Sequence, residues 1–354
     1  MKIAILNDTH AGIRNSSQIM MNYQEQFYRD VFFPYLLEND IKKVIHLGDY
    51  YDNRQNINFK ALKHNRMIFL EKLREYDIHM EIIPGNHDVF YKSTNDLSAL
   101  NELLGHYMKE VMIVERPTVR QYGSLKMALI PWINNENEKA TRAFIDHAKV
   151  DVVGAHLELQ GFEMQRGVAA HDGMDASVFN KFEMVLSGHY HTKSTQGNIH
   201  YLGTQMEFFW SDADDPKYYH VLDTETRELT PVHNPITLFE RIYYDDTKVK
   251  DYETMDLQHL DNKFVKIVVL NKSDTRIFDR FIDRIQNRSI HELKIAENFA
   301  EFVGENVEDD KISLENTENL LASYIDAVET DLDKDRIKSE VHDLMIQAQT
   351  FEIV

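Results

Sequence analysis

Short apolar runs alternate with polar, helix-like segments from the start of the chain to the Asn234-Pro235 pair. The clearest apolar runs are Ile3–Leu6, Val44–Leu47, Ile82–Pro84, Val152–Val153 and Met184–Leu186. Each is short and mainly aliphatic, as a buried strand is. Between them, apolar positions spaced by three or four residues predict helices over residues 17–37, 59–76 and 96–104. Strands that alternate with helices are typical of an α/β fold.

The pattern changes at Asn234-Pro235, which predicts a domain boundary. A hairpin over residues 218–232 precedes this boundary. Beyond it, residues 263–270 and 292–296 are predicted strands around a helix at 275–287. An acidic stretch then leads to two amphipathic helices. We therefore predict four segments, which cover residues 1–236, 237–300, 301–311 and 312–354.

Proline and glycine modify two of the predicted helices. Pro34 falls within the helix at 17–37 and should kink it, because proline lacks the N–H that the helix needs. Gly105 follows the helix at 96–104 and is placed to end it as a C-cap. One further strand is predicted at Lys126–Pro131.

Five polar motifs each follow one of the apolar runs. They are Asp8-Thr9-His10, Gly48-Asp49-Tyr50-Tyr51-Asp52, Gly85-Asn86-His87-Asp88, Ala155-His156 and Gly188-His189-Tyr190-His191. Their carboxylate, imidazole and amide groups are ligands for hard or borderline divalent metals, and the chain has no cysteine that would make a softer site. Coincidence explains one such motif but not five in order, each after a strand. The sequence therefore predicts two metals bridged by a carboxylate, an arrangement that cleaves phosphoesters.

Spacing indicates how the ligands could be shared. Asp8 and His10 are two residues apart and share a face of extended backbone, so one metal could take both. Asp49 could bridge to a second metal with its two oxygens. Asn86 offers a neutral amide oxygen, which limits the total charge. The remaining candidate ligands are His156, His189 and His191, of which the last two could serve different metals.

Three neighbours of these ligands have other predicted roles. Asp52 and Asp88 would orient ligands through hydrogen bonds. His87 is not needed as a ligand, so it is free to bond the phosphate or to protonate the leaving oxygen. Most other histidines are predicted to lie on the surface or in the core. His171, in the Gly-flanked loop 167–173, is left open as a further candidate.

Composition restricts the remaining choices. With 354 residues and 43% hydrophobic content, the chain can bury a full core. The absence of cysteine excludes disulfides and thiolate chemistry, and no apolar run is long enough to span a bilayer. We expect a soluble, cytoplasmic protein. The net charge of −20 argues against DNA binding by this chain alone, although two divalent cations would make the local charge positive where the chemistry occurs.

Together the motifs resemble those of the calcineurin-like metallophosphoesterase superfamily. The whole chain resembles the nuclease subunits that work with SMC-type ATPases in double-strand-break repair and recombination, as in bacterial SbcCD and phage recombination exonucleases. The narrower likeness lies in Leu47-Gly48-Asp49 with Asp52, in Leu129-Ile130-Pro131-Trp132, in Ser187-Gly188-His189-Tyr190-His191 and in the added C-terminal segments. The compact C-terminal region favours a phage version.

This resemblance implies a sandwich of two mixed sheets flanked by helices, with a small α+β capping domain at 237–300 and a C-terminal helix pair at 312–354. It also implies two divalent ions at the strand ends, usually Mn²⁺, with Mg²⁺ as the alternative. By motif, one metal would be held by Asp8, His10, Asp49 and His191. The other would be held by Asp49, Asn86, His156 and His189. His87 would be the catalytic residue.

The resemblance also implies an activity and partners. The expected activity is Mn²⁺-dependent 3′→5′ exonuclease action on duplex DNA and endonuclease action on single strands. The helix pair at 312–354 would dock on the ATPase. Helices at 59–76 and 96–104 would form a homodimer within a heterotetramer. A phage-encoded version would act in the host cytoplasm.

Other interpretations remain open. A metallophosphoesterase that acts on a small-molecule or protein phosphoester would need no C-terminal helix pair. An interaction scaffold with a dead metal site would lack ligands, yet every predicted ligand is present. The C-terminal helices could also pack on their own domain instead of on a partner.

A stripe of arginines is the last candidate. It consists of Arg276, Arg280, Arg284 and Arg288, which recur every four residues. On a helix these side chains form one slowly drifting row, which could follow a DNA backbone in the capping domain. Asp279 and Asp283 lie three or four residues from them, so the alternative is a set of ordinary surface ion pairs.

Overall fold

The structure, a computed structural model, describes residues 1–165, 168–170 and 173–297, together with 325, 334 and 336–338. The chain divides into two units. Unit one comprises Met1–Phe208 and Asp212–Leu238, and unit two comprises Phe209–Ser211 and Phe239–Val354. The acidic segment predicted at 301–311 and nearly all of the helix pair predicted at 312–354 lie outside the described residues. Within the described part, no helix has the length and apolar character needed to cross a membrane.

The strands fall mainly where the apolar runs predict them. In chain order they are β1 (Lys2–Leu6), β2 (Lys43–His46), β3 (His79–Ile82), β4 (Val111–Ile113), β5 (Thr118–Tyr122), β6 (Leu125–Ile130), β7 (Val152–His156), β8 (Glu163–Gln165), β9 (Val168–Ala169), β10 (Met184–Gly188), β11 (Ser194–Gln196), β12 (Ile199–Tyr201), β13 (Lys217–Asp223), β14 (Leu229–Asn234), β15 (Phe239–Asp245), β16 (Phe264–Asn271) and β17 (Glu292–Ala296).

The helices lie between these strands. They are α1 (Ile13–Ser16), α2 (Gln18–Phe27), α3 (Phe33–Glu38), α4 (Phe59–Asn65), α5 (Glu71–Glu75), α6 (Ala99–Leu104), α7 (Glu138–His147) and α8 (Thr275–Gln286). Two π-helical turns, Tyr28–Phe32 and Arg66–Leu70, join α2 to α3 and α4 to α5. Short 3₁₀ turns occur at Gly105–Tyr107, Ala176–Phe179, Trp210–Asp212 and Gln258–Leu260.

Unit one is built on two six-stranded mixed sheets, as predicted. The first sheet has the order β14-β13-β1-β2-β3-β4, and the second has the order β11-β12-β10-β7-β6-β5. Fully buried aliphatic side chains from both sheets, such as Ile5, Leu47, Leu129 and Leu186, form one core cluster. The opposite face of the second sheet forms another cluster with α7 through residues such as Ile145. The predicted two-sheet α/β sandwich is therefore confirmed.

Two helix predictions need correction. The region predicted as one helix at 17–37 is interrupted by the π turn at Tyr28–Phe32, which ends two residues before Pro34. Proline cannot donate the next helical bond, so a widened turn is a natural accommodation. Gly105 does not end its helix in a left-handed cap. It adopts a right-handed conformation with φ −56° and continues into a 3₁₀ turn.

Capping explains the late start of α6. The prediction placed its first residue at Asp96, but the helix begins at Ala99. The Ser98 side chain accepts a hydrogen bond from Leu100 N at 3.2 Å, so it is the N-cap. Helix α7 was not predicted, because the polar surface of its ten residues hides a short apolar face that includes Ile145.

Unit two contains a parallel sheet of order β15-β16-β17. Helix α8 connects β16 to β17, and its Phe278, Phe281 and Ile285 pack in a core cluster with Tyr244 and Ile267. The predicted strands at 263–270 and 292–296 are both present. Strand β15 was not predicted, because polar residues interrupt its apolar pattern. The sheet is wholly parallel, with a β-α-β connection, and so departs from the α+β arrangement that was expected.

Candidate metal centre

The predicted ligands follow or end five strands of unit one. Strands β1, β2 and β3 are parallel neighbours in the first sheet, and β7 and β10 are parallel neighbours in the second. Parallel strands end at a common edge of their sheet, so the polar segments that follow them can meet there. The residues at these ends are Asp8, His10, Asp49, Asn86, His87, His156, His189 and His191, none of which is exposed.

The backbone is strained at four of these positions. Asp8, His10, Asp49 and His189 have positive φ angles of 47°, 45°, 55° and 87°. Such conformations cost a non-glycine residue about 1–3 kcal/mol each and persist where the surrounding structure enforces them. Here Asp8 N donates to Gly48 O at 2.9 Å, and His10 N donates to Asp49 O at 3.1 Å. These bonds hold the loops after β1 and β2 against each other.

Two glycines allow the loops to approach so closely. A Cβ atom added to Gly85 would lie 2.2 Å from Asp49 Oδ1, and one added to Gly188 would lie 2.8 Å from Asp8 Oδ2. Neither separation is compatible with a side chain. The glycine in each motif is therefore needed for the carboxylate beside it to occupy its place.

Asp8, His10 and His191 form the first group of candidate ligands, with one ligand atom from each lying within 4.8 Å of the others. The Nε2 atoms of His10 and His191 are 3.2 Å apart. Asp8 is held by Asn7 Nδ2, which donates to its Oδ2 at 2.6 Å, and by the backbone N–H of His189. Two ring nitrogens and a carboxylate thus converge, as a metal site requires.

Asp49, His156 and His189 form the second group. Asn86 belongs with them, because its Oδ1 lies 2.9 Å from His156 Nε2 and 3.0 Å from His189 Nδ1. His156 Nδ1 lies 2.7 Å from Leu47 O, so Nδ1 carries a proton and donates it. In the neutral ring, Nε2 is then an acceptor that faces the acceptor oxygens of Asn86 and Asp49. In the charged ring, which the carboxylate of Asp49 favours, Nε2 instead directs a proton at these oxygens. A divalent metal that replaces this proton fits the donor set.

Asp49 stands between the two groups. Its Oδ2 is 3.9 Å from His10 Nε2 and 3.4 Å from His156 Nε2. Its Oδ1 accepts a hydrogen bond from His87 N at 2.8 Å. Asp49 is therefore placed to reach both groups, and its predicted bridging role stays a prediction.

The carboxylates of the centre favour the protonated forms of His10 and His156. Burial lowers the pKa of His10, but its hydrogen bond to Asp52 and the charges of Asp49, Asp52 and Asp8 outweigh burial and raise this pKa to about 9. Burial also lowers the pKa of His156, but the charge and hydrogen bond of Asp49, together with the charge of Asp8 and the bond to Leu47, outweigh burial and raise this pKa to about 9. Burial raises the pKa of Asp8 to about 6. A buried site with these properties attracts cations.

His87 is placed beside the ligands without being one of them. Its Nδ1 lies 2.5 Å from Asp52 O, so this nitrogen donates to the carbonyl. The ring centroid is 4.9 Å from that of His10. Burial lowers the pKa of His87, so the ring is neutral at pH 7.

Asp52 and Asp88 support the ligands from behind. Asp52 Oδ1 lies 3.4 Å from His10 Nδ1, which leaves His10 Nε2 for the centre. Asp88 is fully buried and accepts hydrogen bonds from the backbone N–H groups of Tyr50, Tyr51 and Gly85. Burial and the charge of Asp49 raise its pKa to about 7. Asp88 thus ties the loop after β3 to the loop after β2.

Several supporting residues were not predicted from the sequence. Trp132 lies beside the second group, with ring centroids 5.3 Å from His189 and 5.8 Å from His156. The buried Lys217 donates to His191 O at 3.3 Å and pairs with Asp212 at 2.7 Å. Asn7 could have been found from its place next to Asp8. No local sequence signal points to Lys217, which lies 26 residues from His191.

The arginine stripe belongs to unit two, where Arg276, Arg280 and Arg284 lie on α8 and Arg288 follows its end, and these residues make local contacts. Arg280 pairs with Glu253, and Arg288 pairs with Asp261. Arg284 donates to the carbonyl oxygens of Tyr252 and Met255. Arg276 is 86% exposed at its side chain and lies 3.7 Å from Asp274. Neither predicted aspartate partner, Asp279 or Asp283, makes these contacts. His171 lies outside the described residues.

Comparison with known proteins adds a family and named relatives. Residues 1–193 match the family model described as calcineurin-like phosphoesterase. Over 355 residues the chain is 28% identical to "Exonuclease subunit 1" of Enterobacteria phage T4, and the match spans 98% of this chain and 99% of that protein. Over 127 residues it is 25% identical to a protein of Staphylococcus saprophyticus that is named as a subunit of the nuclease SbcCD. That match spans 33% of this chain and 34% of the relative.

A further relative carries a different name. It is "Probable glycerophosphodiester phosphodiesterase GpdQ" of Arcobacter nitrofigilis, which is 24% identical over 218 residues. The match spans 55% of this chain and 73% of the relative. The likeness to the phage protein therefore extends over more of the present chain than either of the other two.

Proposed function

This chain belongs to the calcineurin-like phosphoesterase family and is a metal-dependent phosphodiesterase, and from that premise we propose that its substrate is DNA. The observation that carries the proposal is the likeness over 98% of the chain to a relative named as an exonuclease subunit. A likeness restricted to residues 1–193 would support only the general chemistry. The proposed activity is 3′→5′ exonuclease action on duplex DNA and endonuclease action on single strands.

The donor set supports two divalent cations. We assign one ion to Asp8, His10, Asp49 and His191. We assign the other to Asp49, Asn86, His156 and His189. Four imidazoles disfavour Mg²⁺, which prefers oxygen ligands, so Mn²⁺ is the proposed metal. When bound, such ions supply a water of lowered pKa and offset the charge on the phosphoryl oxygens.

His87 is proposed to act as the general acid that protonates the leaving oxygen. Its Nδ1 proton is committed to Asp52 O, so only the other ring nitrogen can exchange a proton with the substrate. The ring must therefore be doubly protonated before it can donate. Burial opposes this state, whereas a phosphodiester anion beside the ring would favour it. Substrate binding would thus favour protonation of the second ring nitrogen of His87. The doubly protonated ring then acts as the general acid and protonates the leaving oxygen.

Trp132 and Asp52 would position the reacting groups. The Asp52 carboxylate contacts His10 Nδ1, and the Asp52 backbone carbonyl oxygen accepts a hydrogen bond from His87 Nδ1. Asp52 thus orients both rings. Trp132 lies against His189 and His156 and would shield that side of the centre from water. These contacts reduce the freedom of the rings that surround the scissile phosphate, which is how much of enzymatic positioning is achieved.

We propose that the chain works with an SMC-type ATPase, as a homodimer within a heterotetramer. One relative is named as a subunit of SbcCD, which supports a multi-subunit setting. Exposed apolar side chains on the helix predicted to dimerise, Phe59 at 86% and Met67 at 55%, support self-association. In the full chain, replacing Leu320 and Leu321 by Asp should abolish co-purification with the ATPase and leave hydrolysis of a small phosphodiester unchanged.

One assay tests the substrate directly. End-labelled duplex and single-stranded DNA are incubated with Mn²⁺, with and without the ATPase, and the products are sized. We expect stepwise loss of 3′-terminal nucleotides from the duplex and internal cuts in the single strand. The Asp49→Ala variant serves as the control for contaminating nucleases. Hydrolysis of bis(p-nitrophenyl) phosphate together with intact DNA under every condition would exclude the DNA assignment.

A second candidate function has one observation in its favour. The relative named as a probable glycerophosphodiester phosphodiesterase spans 55% of the chain. A small diester such as glycerophosphocholine would then be the substrate. Preference for that diester over DNA in kcat/KM would support this alternative and contradict the nuclease proposal.

A further inference from the structure

Unit one has a groove on its surface that is separate from the metal centre. It has a volume of about 450 Å³ and lies beside β5, β6 and the end of α7. Lys126 lies near the start of β6, whereas His156 ends the parallel neighbour β7, and Met127 is in register with Val152. At about 3.3 Å per residue, the groove and the metal centre are ~13 Å apart or more along the sheet. The groove therefore does not belong to the catalytic site.

The groove carries positive charge that the described residues do not neutralise. Lys126 and Lys149 line it, are exposed, and make no ion pair with any described side chain. Arg120, which also lines it, is paired with Glu81 at 3.1 Å and serves as a contrast. The chain as a whole has a net charge of −20, whereas the two unpaired lysines make this groove locally positive. The complementary occupant is anionic.

The same groove is bounded by an open strand edge. Strand β5 is the last strand of the second sheet and pairs with β6 on one side. Tyr122 and Leu125 flank a two-residue turn, so in this antiparallel pair Arg120 and Thr118 exchange hydrogen bonds with β6. The backbone groups of Val119 and Gln121 consequently point to the open edge. Such an edge is a template for one more strand.

The floor of the groove is partly apolar. Val119 is 42% exposed, which is unusual for a valine in a strand, and Phe144 lies beside it only partly buried. An added strand places alternate side chains on this face of the sheet. Aliphatic side chains of the occupant would cover Val119 and Phe144, and acidic side chains would reach the two lysines.

We propose that this groove binds an extended acidic segment of a partner protein, which adds to the second sheet as a strand beside β5. Main-chain bonds to Val119 and Gln121 would provide affinity, and the contacts with Lys126 and Lys149 would provide selectivity for acidic sequences. A nucleic acid would match the charge but could not use the strand edge or the aliphatic floor. The combination of all three features favours a peptide.

A direct binding experiment tests this proposal. The probe is a fluorescein-labelled peptide with the sequence Asp-Val-Glu-Ile repeated twice, and its anisotropy is followed as the full-length protein is added. We expect saturable binding, at least tenfold weaker binding for Lys126→Glu/Lys149→Glu, and no change for Lys139→Glu. Lys139 is a matched control, because it is an exposed lysine at the other end of α7 that does not line the groove.

The strand edge is tested separately. Val119→Pro removes one N–H that points away from β6, so it spares the pairing with β6 while blocking an added strand. We expect loss of peptide binding, with hydrolysis of bis(p-nitrophenyl) phosphate unchanged. Hydrogen exchange should show protection of the Val119 and Gln121 amides when the peptide is bound to the wild-type chain.

Three outcomes would overturn the proposal. One is the absence of peptide binding at millimolar concentration. Another is binding that both the double lysine variant and Val119→Pro retain at full strength. The third is a clear preference for a labelled dT oligonucleotide that the double lysine variant loses, which would assign the groove to single-stranded nucleic acid.

Discussion

The metal centre of unit one and helix α8 of unit two are both rich in charged side chains, but they use charge in opposite ways. At the centre, His156 Nε2 lies 2.9 Å from Asn86 Oδ1 and 3.4 Å from Asp49 Oδ2. Arg284 on α8 donates to two backbone carbonyl oxygens, and Arg288, just beyond the helix, pairs with Asp261. The first arrangement is suited to an added cation, whereas the second is satisfied within its own unit.

The difference shows what a sequence pattern can and cannot indicate. Both regions had regular spacing that suggested binding. The motif residues of unit one come from five different strand ends, so ligands from separate motifs become neighbours in space. The arginines lie on α8 or just after it, and their neighbours in space are acidic and carbonyl groups of the same unit. A DNA-binding role for the stripe therefore stays a prediction, whereas its structural role is visible.

Among substitutions in the two regions, Asp49→Ala should have the largest effect on metal content and activity. Asp49 Oδ2 lies between both ligand groups, so its loss should reduce the occupancy of both metals and remove phosphodiester hydrolysis. We expect a loss greater than the ~10²–10⁴ typical of a missing general acid. Elemental analysis after gel filtration measures the metal content. Full occupancy of both sites in this variant would show that Asp49 is not the bridge.

His87→Ala should lower turnover while the metals remain. The expected loss is ~10²–10⁴ for DNA, because the leaving alkoxide needs a proton. It should be much smaller for bis(p-nitrophenyl) phosphate, because nitrophenolate leaves without protonation. Comparing kcat for the two substrates separates the general-acid role from a structural one. An equal loss for both substrates, or a loss of metal, would contradict the proposed role.

Asp52→Asn should have a more moderate effect. The substitution keeps the shape of the side chain but removes the negative charge beside His10 Nδ1. Loss of such support typically costs about 10–100-fold in metal affinity or activity. Activity should recover at high Mn²⁺ concentration, which a Mn²⁺ titration of the hydrolysis rate will show. A rate that stays low at saturating Mn²⁺ would place Asp52 in the chemical step.

The smallest effects are expected from substitutions on α8, where the free energy of unfolding should change more at Arg284 than at Arg276. Arg284→Ala removes hydrogen bonds from a charged donor and should cost about 1.5–3 kcal/mol of unfolding free energy. Arg276→Ala, at an exposed position, should change stability by less than about 0.5 kcal/mol. Urea unfolding measures both. Equal costs at the two positions would contradict the structural interpretation of the stripe.

The exposed arginines still allow a test of DNA binding. The logarithm of the binding constant for duplex DNA falls linearly with the logarithm of the salt concentration. Each phosphate contact contributes about −0.9 to the slope of this line. Replacing Arg276 and Arg280 by Gln, with Arg284 left to support the fold, should therefore flatten the salt dependence if these residues contact DNA. An unchanged slope would leave α8 with a structural role only.

Much of the fold could be predicted, because the strands that carry ligands are continuous apolar runs. Strand β15 and helix α7 were missed where polar residues interrupt the apolar pattern. The five motifs identified the residues that come together. The hydrogen bond from His87 N to Asp49 Oδ1 could not be predicted, because it depends on how the loops after β2 and β3 meet. Lys217 could not be predicted either, because its contact with His191 is set by tertiary packing.

One measurement tests the central claim most directly, which is that the two ligand groups hold two metals bridged by Asp49. Mn²⁺ is titrated into the metal-free chain and followed by electron paramagnetic resonance. We predict two Mn²⁺ per chain with the spectrum of an exchange-coupled pair, and loss of the coupling in Asp49→Ala. A single Mn²⁺, or two that show only the spectrum of isolated ions, would contradict the account.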